Sequence, residues 1–258
     1  MENSRLSDRV KRSFRRGFET YSDTASVQAQ VAQTLAKMIV DHSPDATFEH
    51  AFEFGCGTGN LTRSLVGQAK IDELWLNDLV PASRQVTDEA APFVKKVQFL
   101  GGDVADLLLP RPVDLIASAS TIQWIPDHAA LLSHLGAFLA PGGLLAISGF
   151  GTSQYSELVK LGSVAGAPGY RDAEDWAGVL PPDLELISRA QEKAVLTFPN
   201  ARAVLKHLRR TGVNGQASSN WTRRRLAAFE GEYVERFGGS DGVTLTYDPV
   251  WLLARKKA

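Results

Sequence analysis

Residues 51–59 read Ala-Phe-Glu-Phe-Gly-Cys-Gly-Thr-Gly, an apolar run that ends in three glycines at alternate positions, Gly55, Gly57 and Gly59. Without a Cβ the backbone can turn sharply there and lie close against a bound ligand. Leu61, Leu65 and Val66 follow at helical spacing. The pattern predicts a strand, a tight turn and a helix whose free N–H groups face that ligand. Such a unit belongs in a layered α/β fold. By itself it fits any nucleotide-type cofactor.

The rest of the chain extends the same alternation. Val27, Val31, Leu35, Met38 and Ile39 mark one face of a helix over 23–40. Strands are predicted at 73–77, ending at Asp78, and at 97–100, ending at Gly101-Gly102-Asp103. A fourth strand at 113–118 precedes a helix near 129–139, and Pro141-Gly142-Gly143 turns into a fifth at 144–150. Strands that are nearly all apolar, alternating with helices, indicate a parallel sheet covered on both faces. Beyond 151 the rhythm changes: a loop-rich stretch, a short helix at 172–180 and a strand over 184–198 are expected. A helix over 201–211 follows, capped by Asn200 and stopped by Gly212. The last strand is read at 243–254. The chain is thus read as a single domain over 1–258. It has an N-terminal helical cap (1–42), a cofactor-binding core (48–150) and a basic, mostly helical insertion (199–240).

With 258 residues, 44% of them hydrophobic and 22% charged, the chain can bury a full core. No apolar run of about 18 residues suggests a membrane span, and no apolar leader is evident at the N-terminus. One cysteine, Cys56, makes no internal disulfide, so a reducing, cytoplasmic setting is expected. Cys56 itself is read as a small residue that fits the turn, not as a nucleophile. The net charge of −1 is unevenly spread, with local charges of +4 over 1–16 and +7 over 200–225. That asymmetry suggests a polyanionic partner.

Asp78 lies at the end of the second strand, 19 residues past Gly59, where a carboxylate can accept from both ribose hydroxyls. Asp103, after two glycines, can accept from an adenine amino group, with the Val104 N–H serving a ring nitrogen; the same residue could simply cap a helix. A dinucleotide turn would read G-x-G-x-x-G, whereas here G-x-G-x-G is followed by Asn60. Together Glu53 to Gly59, Asp78, Gly102-Asp103 and Pro141-Gly142-Gly143 resemble the class I S-adenosylmethionine-dependent methyltransferases. That resemblance implies a Rossmann-like α/β fold with a seven-stranded sheet and an antiparallel last strand. It also implies S-adenosyl-L-methionine as cofactor, S-adenosyl-L-homocysteine as product, and no metal. The implied cofactor residues are Glu53, Gly55, Cys56, Gly57, Gly59, Asp78, Leu79, Asp103, Val104 and Ser118.

A narrower resemblance spans nearly the whole chain. The segment from Phe14 to Gln28, Ser118 to Gln123-Trp124, Leu208 to Gly215, and Leu245-Thr246-Tyr247-Asp248-Pro249 resemble the malonyl-acyl carrier protein O-methyltransferases of biotin synthesis. Ala119 departs from the asparagine that many relatives carry. The stretch Gln123 to His128 also resembles trans-aconitate methyltransferases, so it does not separate the two families. The resemblance implies methyl esterification of a malonyl carboxylate. A carboxylate is ionised at neutral pH, so no general base is expected and catalysis rests on positioning. Tyr21, Gln123 and Trp124 are expected to shape the acceptor pocket, with Arg209, Arg210 or Arg16 binding the carboxylate. Arg202, Lys206, Arg209 and Arg210 would dock an acidic acyl carrier protein. Neither nucleic acid nor membrane is expected as a partner, since no stacking aromatics interleave the basic residues. Trp124 could equally be a core aromatic, and His128 is read as a helix-start surface residue. A small-molecule carboxyl methyltransferase and a non-catalytic cofactor-binding regulatory subunit remain the alternatives.

Overall fold

The computed structural model describes residues 26–164, 166–210 and 222–258. Tyr21, Arg16, Gly212 and the start of the helix expected from residue 23 lie outside them. The described residues form two compact units. One comprises 26–151, 168–191 and 249–258; the other is drawn from 152–167 and 192–248. In chain order the strands are β1 (Thr47–Phe54), β2 (Lys70–Asp78), β3 (Lys96–Gly101), β4 (Val113–Ala119) and β5 (Leu139–Phe150). They continue with β6 (Leu184–Gln191), β7 (Ala194–Phe198), β8 (Gly238–Gly239), β9 (Gly242–Tyr247) and β10 (Pro249–Lys256).

In the first unit, seven strands form one sheet in the order β3-β2-β1-β4-β5-β10-β6. β1 pairs in parallel with β2 and β4, as β2 does with β3 and β4 with β5. β10 runs antiparallel to both β5 and β6. This is the expected sheet with its antiparallel last strand. Strand order reverses between β1 and β4, and in such sheets ligands bind at the carboxyl ends beside the reversal. The Ser26–Asp41 helix buries Val27, Val31, Leu35 and Ile39 and packs on β4, β5 and β10. Trp251 on β10 donates its indole N–H to the Val31 carbonyl at 2.9 Å, which pins the helix across the sheet.

Two segments, each expected as one strand, are two strands each. Residues 184–198 form β6 and β7, and 243–254 form β9 and β10, in each case in different sheets. Asp248 explains the second break. It is fully buried, accepts from the Ser153 N–H at 2.9 Å and donates its own N–H to Gln154 Oε1 at 2.7 Å. Pro249, next in sequence, has no N–H with which to continue a ladder. β5 begins earlier than expected because Leu139 already pairs with Val113, and the register shifts before Leu115 meets Leu144.

The second unit contains the antiparallel sheet β7-β9-β8 and the helices Ala201–Arg210 and Arg223–Phe237. The helical insertion expected over 199–240 is therefore built together with β7, β9 and the 152–167 segment. Asn200 caps the first helix, accepting from the Ala203 N–H at 3.0 Å. Glu157, on the Ser156–Lys160 helix, is buried and accepts from the Thr246 N–H (2.9 Å) and hydroxyl (2.7 Å). Tyr233 donates its hydroxyl to the Thr244 carbonyl at 2.8 Å. Among the described residues, no helix is long and apolar enough to cross a membrane.

Removing the Asp248 side chain strands the Ser153 donor. Asp248→Ala should lower the unfolding free energy by about 2 kcal/mol, read as an earlier urea midpoint at unchanged slope. An unchanged midpoint would show that the β9–β10 break does not depend on this carboxylate.

Candidate active site

β1 ends by turning Gly55, Gly57 and Gly59 into the left-handed region, at φ of 65, 51 and 83°. A Cβ on Gly55 would overlap the Thr121 side chain, and one on Gly59 would lie 2.8 Å from Val86 Cγ1. At Gly57 the nearest protein atom to such a Cβ is 4.0 Å away. That position leaves open space against bare backbone, which a ligand can fill. The loop is held by bonds from the Cys56 N–H to the Asn77 carbonyl (3.0 Å) and from the Gly59 N–H to the Cys56 carbonyl (2.8 Å). The Asn60–Val66 helix starts directly behind it.

Asp78, at the end of β2, faces this turn. Its Oδ2 accepts from the Gly57 N–H at 2.8 Å and its Oδ1 from the Val80 N–H at 2.7 Å. Each carboxylate oxygen has a second lone pair for a ligand donor. Burial nevertheless pushes the Asp78 pKa upward, against the Val80 and Gly57 N–H bonds, which lower it. Leu79 is half-buried beside it. The end of β3 is set by Asn77, which donates Nδ2 to the carbonyls of Leu100 (2.7 Å) and Gly102 (3.0 Å). Gly102, at φ 130°, donates to the Asp78 carbonyl at 3.2 Å, and nothing lies within 4 Å of where its Cβ would be. Asp103 is exposed and caps the Val104–Asp106 turn, accepting from the Ala105 N–H through Oδ1 at 3.1 Å. The capping role its position allowed is thus realised, and Oδ2 is left for another donor. Val104 is buried.

Glu53 is buried on β1, accepting from the Thr62 hydroxyl at 2.7 Å. Burial, which outweighs the Thr62 bond, pushes its carboxyl up to about 8. Cys56 is also buried; desolvation first, then the Glu53 and Asp78 charges, push its thiol well up. It is therefore a packed thiol, as expected, not a thiolate.

At the end of β4, Ser118 is fully buried and donates its hydroxyl to the Phe54 carbonyl at 2.7 Å. Its side chain ties β4 to β1, so a cofactor contact there falls to the backbone. Ala119 is half-buried, and Ser120 after it has a φ of 55°. Gln123 is buried and donates Nε2 to the Ser120 carbonyl at 2.7 Å; Trp124 is half-buried in the same turn. His128 corrects the expectation of a surface residue. It is 3% exposed, stacks on Trp176 with centroids 4.8 Å apart and accepts from Arg171 Nε through Nδ1 at 3.2 Å. That fixes the proton on Nε2, which donates to the Ile122 carbonyl at 3.1 Å. Burial lowers its pKa, so it stays neutral. A polar residue inside an apolar helix face was the signal for this burial, and its position at the helix start concealed it.

In the second unit, Arg202, Lys206, Arg209 and Arg210 are exposed on the Ala201–Arg210 helix, opposite buried Ala201, Val204 and Leu208. Arg202 is ion-paired with Glu230. Lys206, Arg209 and Arg210 make no ion pair among the described residues. Thr62, Asn77 and Thr121 hold the first unit's loops, and sequence reasoning missed all three. Their roles depend on neighbours across strands.

Glu53 gives a pH signature. With its folded pKa near 8, against 4.5 for the free side chain, the folded state binds more protons than the unfolded state between those values. Stability therefore falls as pH rises through that window and levels off above it. Glu53→Gln should flatten this slope, raising the urea midpoint relative to the parent at pH 8.5 but not at pH 5. A parent whose midpoint does not fall from pH 5 to 8.5, on a slope that Glu53→Gln leaves in place, would contradict it.

The methyltransferase-domain family profile matches residues 52–145, the span from the glycine turn to β5. Solved structures share the fold at low identity. One is the N-methyltransferase NodS from Bradyrhizobium japonicum in complex with S-adenosyl-L-homocysteine, at TM-score 0.56, 13% identity and coverage of 96% of this chain and 99% of that one. Another is the YcgJ protein from Bacillus subtilis, at TM-score 0.59, 11% identity and coverage of 87% and 99%. Much nearer in sequence is the malonyl-[acyl-carrier protein] O-methyltransferase of Chlorobium luteolum. It is 34% identical over 251 residues, covering 96% of this chain and 95% of that protein. The protein of the same name from Haemophilus influenzae is 32% identical, covering 96% and 94%. At such identity across nearly the full length of both partners, the chain belongs to the malonyl-[acyl-carrier protein] O-methyltransferase family.

Proposed function

We propose that this protein is an S-adenosyl-L-methionine-dependent O-methyltransferase that esterifies the free carboxylate of a malonyl-acyl carrier protein thioester. The near full-length likeness to enzymes of that name carries the reading. Supporting it are the glycine turn with its open face at Gly57 and the Asp78 carboxylate directed at it, at the reversal point of the sheet. In this reading Glu53, Gly55, Cys56, Gly57 and Gly59 surround the methionine portion of the cofactor, with Ser118 offering its backbone. Asp78 and Leu79 take the ribose; Asp103 and Val104 take the adenine. When bound, the cofactor supplies a sulfonium-activated methyl group.

The acceptor needs no base, because a carboxylate is already ionised at neutral pH. His128 has both ring nitrogens engaged, and Cys56 holds its proton. Positioning and exclusion of water then do most of the work, where effective molarity can lower a barrier by roughly 7–11 kcal/mol. Tyr21, Trp124 and the turn held by Gln123 shape the acceptor side, and Arg209, Arg210 or Arg16 binds the malonyl carboxylate. Lys206, Arg209 and Arg210 attract the acidic carrier protein and orient it. Arg202 adds little to that field because Glu230 neutralises it. A soluble cytoplasmic enzyme fits this chemistry.

Mass spectrometry of malonyl-acyl carrier protein incubated with this protein and S-adenosyl-L-methionine should show a gain of one methylene mass. Acetyl-acyl carrier protein should show none. Methylation of both, or of neither, would overturn the assignment of the malonyl carboxylate. Lys206→Glu should lower kcat/KM for the carrier-bound substrate several-fold at low salt, with the gap narrowing as salt rises. A small malonyl thioester should react as before. Equal losses on both substrates would place Lys206 in the pocket instead of on a docking face.

A further inference from the structure

We propose that Arg63 is a positioning residue that braces the glycine turn from behind and couples it to the segment following Asp78. The proposal rests on the reading of that turn as the cofactor site. Arg63 lies one turn into the Asn60–Val66 helix, which follows directly on Gly59. Its Nη1 donates to the Thr58 carbonyl at 2.8 Å and to Glu89 Oε2 at 2.7 Å. Its Nη2 donates to Asn60 Oδ1 at 3.1 Å. Thr58 sits between Gly57 and Gly59, both at positive φ. In a trans peptide the carbonyl and the next N–H point in opposite directions. Holding the Thr58 oxygen outward therefore turns the Gly59 N–H inward, where it meets the Cys56 carbonyl at 2.8 Å. One guanidinium thus sets a peptide plane on which the shape of the turn depends.

The partner carboxylate is what extends the brace. Glu89 lies on the Val86–Ala90 helix, which follows Asp78 by way of the Pro81–Gln85 turn. Beside this helix and Asn60–Val66 lies an open cleft of about 260 Å³, lined by Thr62, Val66, Val86 and Phe93 together with Arg63 and Glu89. The Arg63–Glu89 pair spans the two helices at this cleft. The turn and the Asp78 loop are joined at the front by the Gly57 N–H to Asp78 bond and at the back by this pair. Both partners are about half exposed, 47 and 44% for the side chains, so the pair contributes little to global stability. Its loss should be felt in the order of the turn.

The test is titration calorimetry of S-adenosyl-L-homocysteine with the full chain, alongside kinetics and urea unfolding. Arg63→Ala should weaken binding about tenfold and raise KM for S-adenosyl-L-methionine in step. At saturating cofactor kcat should stay within about twofold, with KM for the malonyl substrate and the urea midpoint nearly unchanged. Arg63→Lys can reach the Thr58 carbonyl but lacks the fork that also holds Asn60 and Glu89, and should recover part of the affinity. Glu89→Gln should show a smaller loss of the same kind. The brace is refuted if Arg63→Ala binds the product as the parent does, or if kcat falls while KM stays put. It is also refuted if affinity falls only in proportion to the urea midpoint. A parent chain that does not bind S-adenosyl-L-homocysteine would remove the cofactor reading of the turn, and the brace with it.

Discussion

The hydrogen bond from the Gly57 N–H to the Asp78 carboxylate at 2.8 Å, next to that from the Cys56 N–H to the Asn77 carbonyl, joins the ends of β1 and β2 into one surface. Either end alone would be an ordinary loop. Three glycines in the left-handed region turn the backbone so that this N–H faces across the sheet. The carboxylate that receives it is partly desolvated, and its second oxygen is fixed by the Val80 N–H. From Asp78 the order passes on. Its carbonyl accepts from Gly102, and Asn77 grips the carbonyls of Leu100 and Gly102. The ends of β1, β2 and β3 are therefore one connected hydrogen-bonded edge, with each loop shaped by the strand beside it.

That edge needs a rigid support, and the interior provides it. β1 is an interior strand, with Phe52 paired to Trp75 on one side and Ile116 on the other, all nearly inaccessible to solvent. Parallel strands must be covered on both faces. The Ser26–Asp41 helix covers part of one face, fastened by the Trp251 indole to the Val31 carbonyl. Because strand order reverses between β1 and β4, the loops leaving these neighbours diverge. Ser118 bridges the gap from below by donating to the Phe54 carbonyl, and Thr121 donates to the Gly55 carbonyl at 3.2 Å. The crevice at the reversal is held from both of its walls.

Much of this was legible in the sequence, because its signals are local. Alternate glycines after an apolar run placed the turn, and the strand boundaries put Asp78 at the end of β2 and Asp103 just beyond that of β3. Periodicity located the parallel strands and the buried stripe of the first helix. It failed at 184–198 and 243–254, each of which is two strands in different sheets. In the second, a buried Asp248 bonded to distant Ser153 and Gln154 separates the strands, and no short-range pattern encodes a bond over that separation. His128 was misplaced for a related reason. A histidine next to an aspartate cap looks solvated until Trp176 and Arg171, more than forty residues away, enclose it. Thr62, Arg63 and Asn77 were passed over because threonine, arginine and asparagine are unremarkable until their partners are known.

The proposed transfer from a sulfonium to a carboxylate places one further demand on the site, that nothing nearby should accept the methyl first. A thiolate at Cys56 would be the strongest competitor, since thiolates and not thiols are nucleophilic. Burial, with the Asp78 charge, keeps it a thiol. A neutral imidazole with a free nitrogen would be the next, but at His128 one nitrogen carries the proton and the other is engaged by Arg171. Glu53 is held largely protonated near neutrality, with its carboxyl turned to Thr62. Each Asp78 oxygen already accepts from a backbone N–H, which occupies one of its lone pairs. Burial and fixed hydrogen bonds thus restrain the reactive groups of the turn. Selectivity for an incoming carboxylate can then rest on position alone.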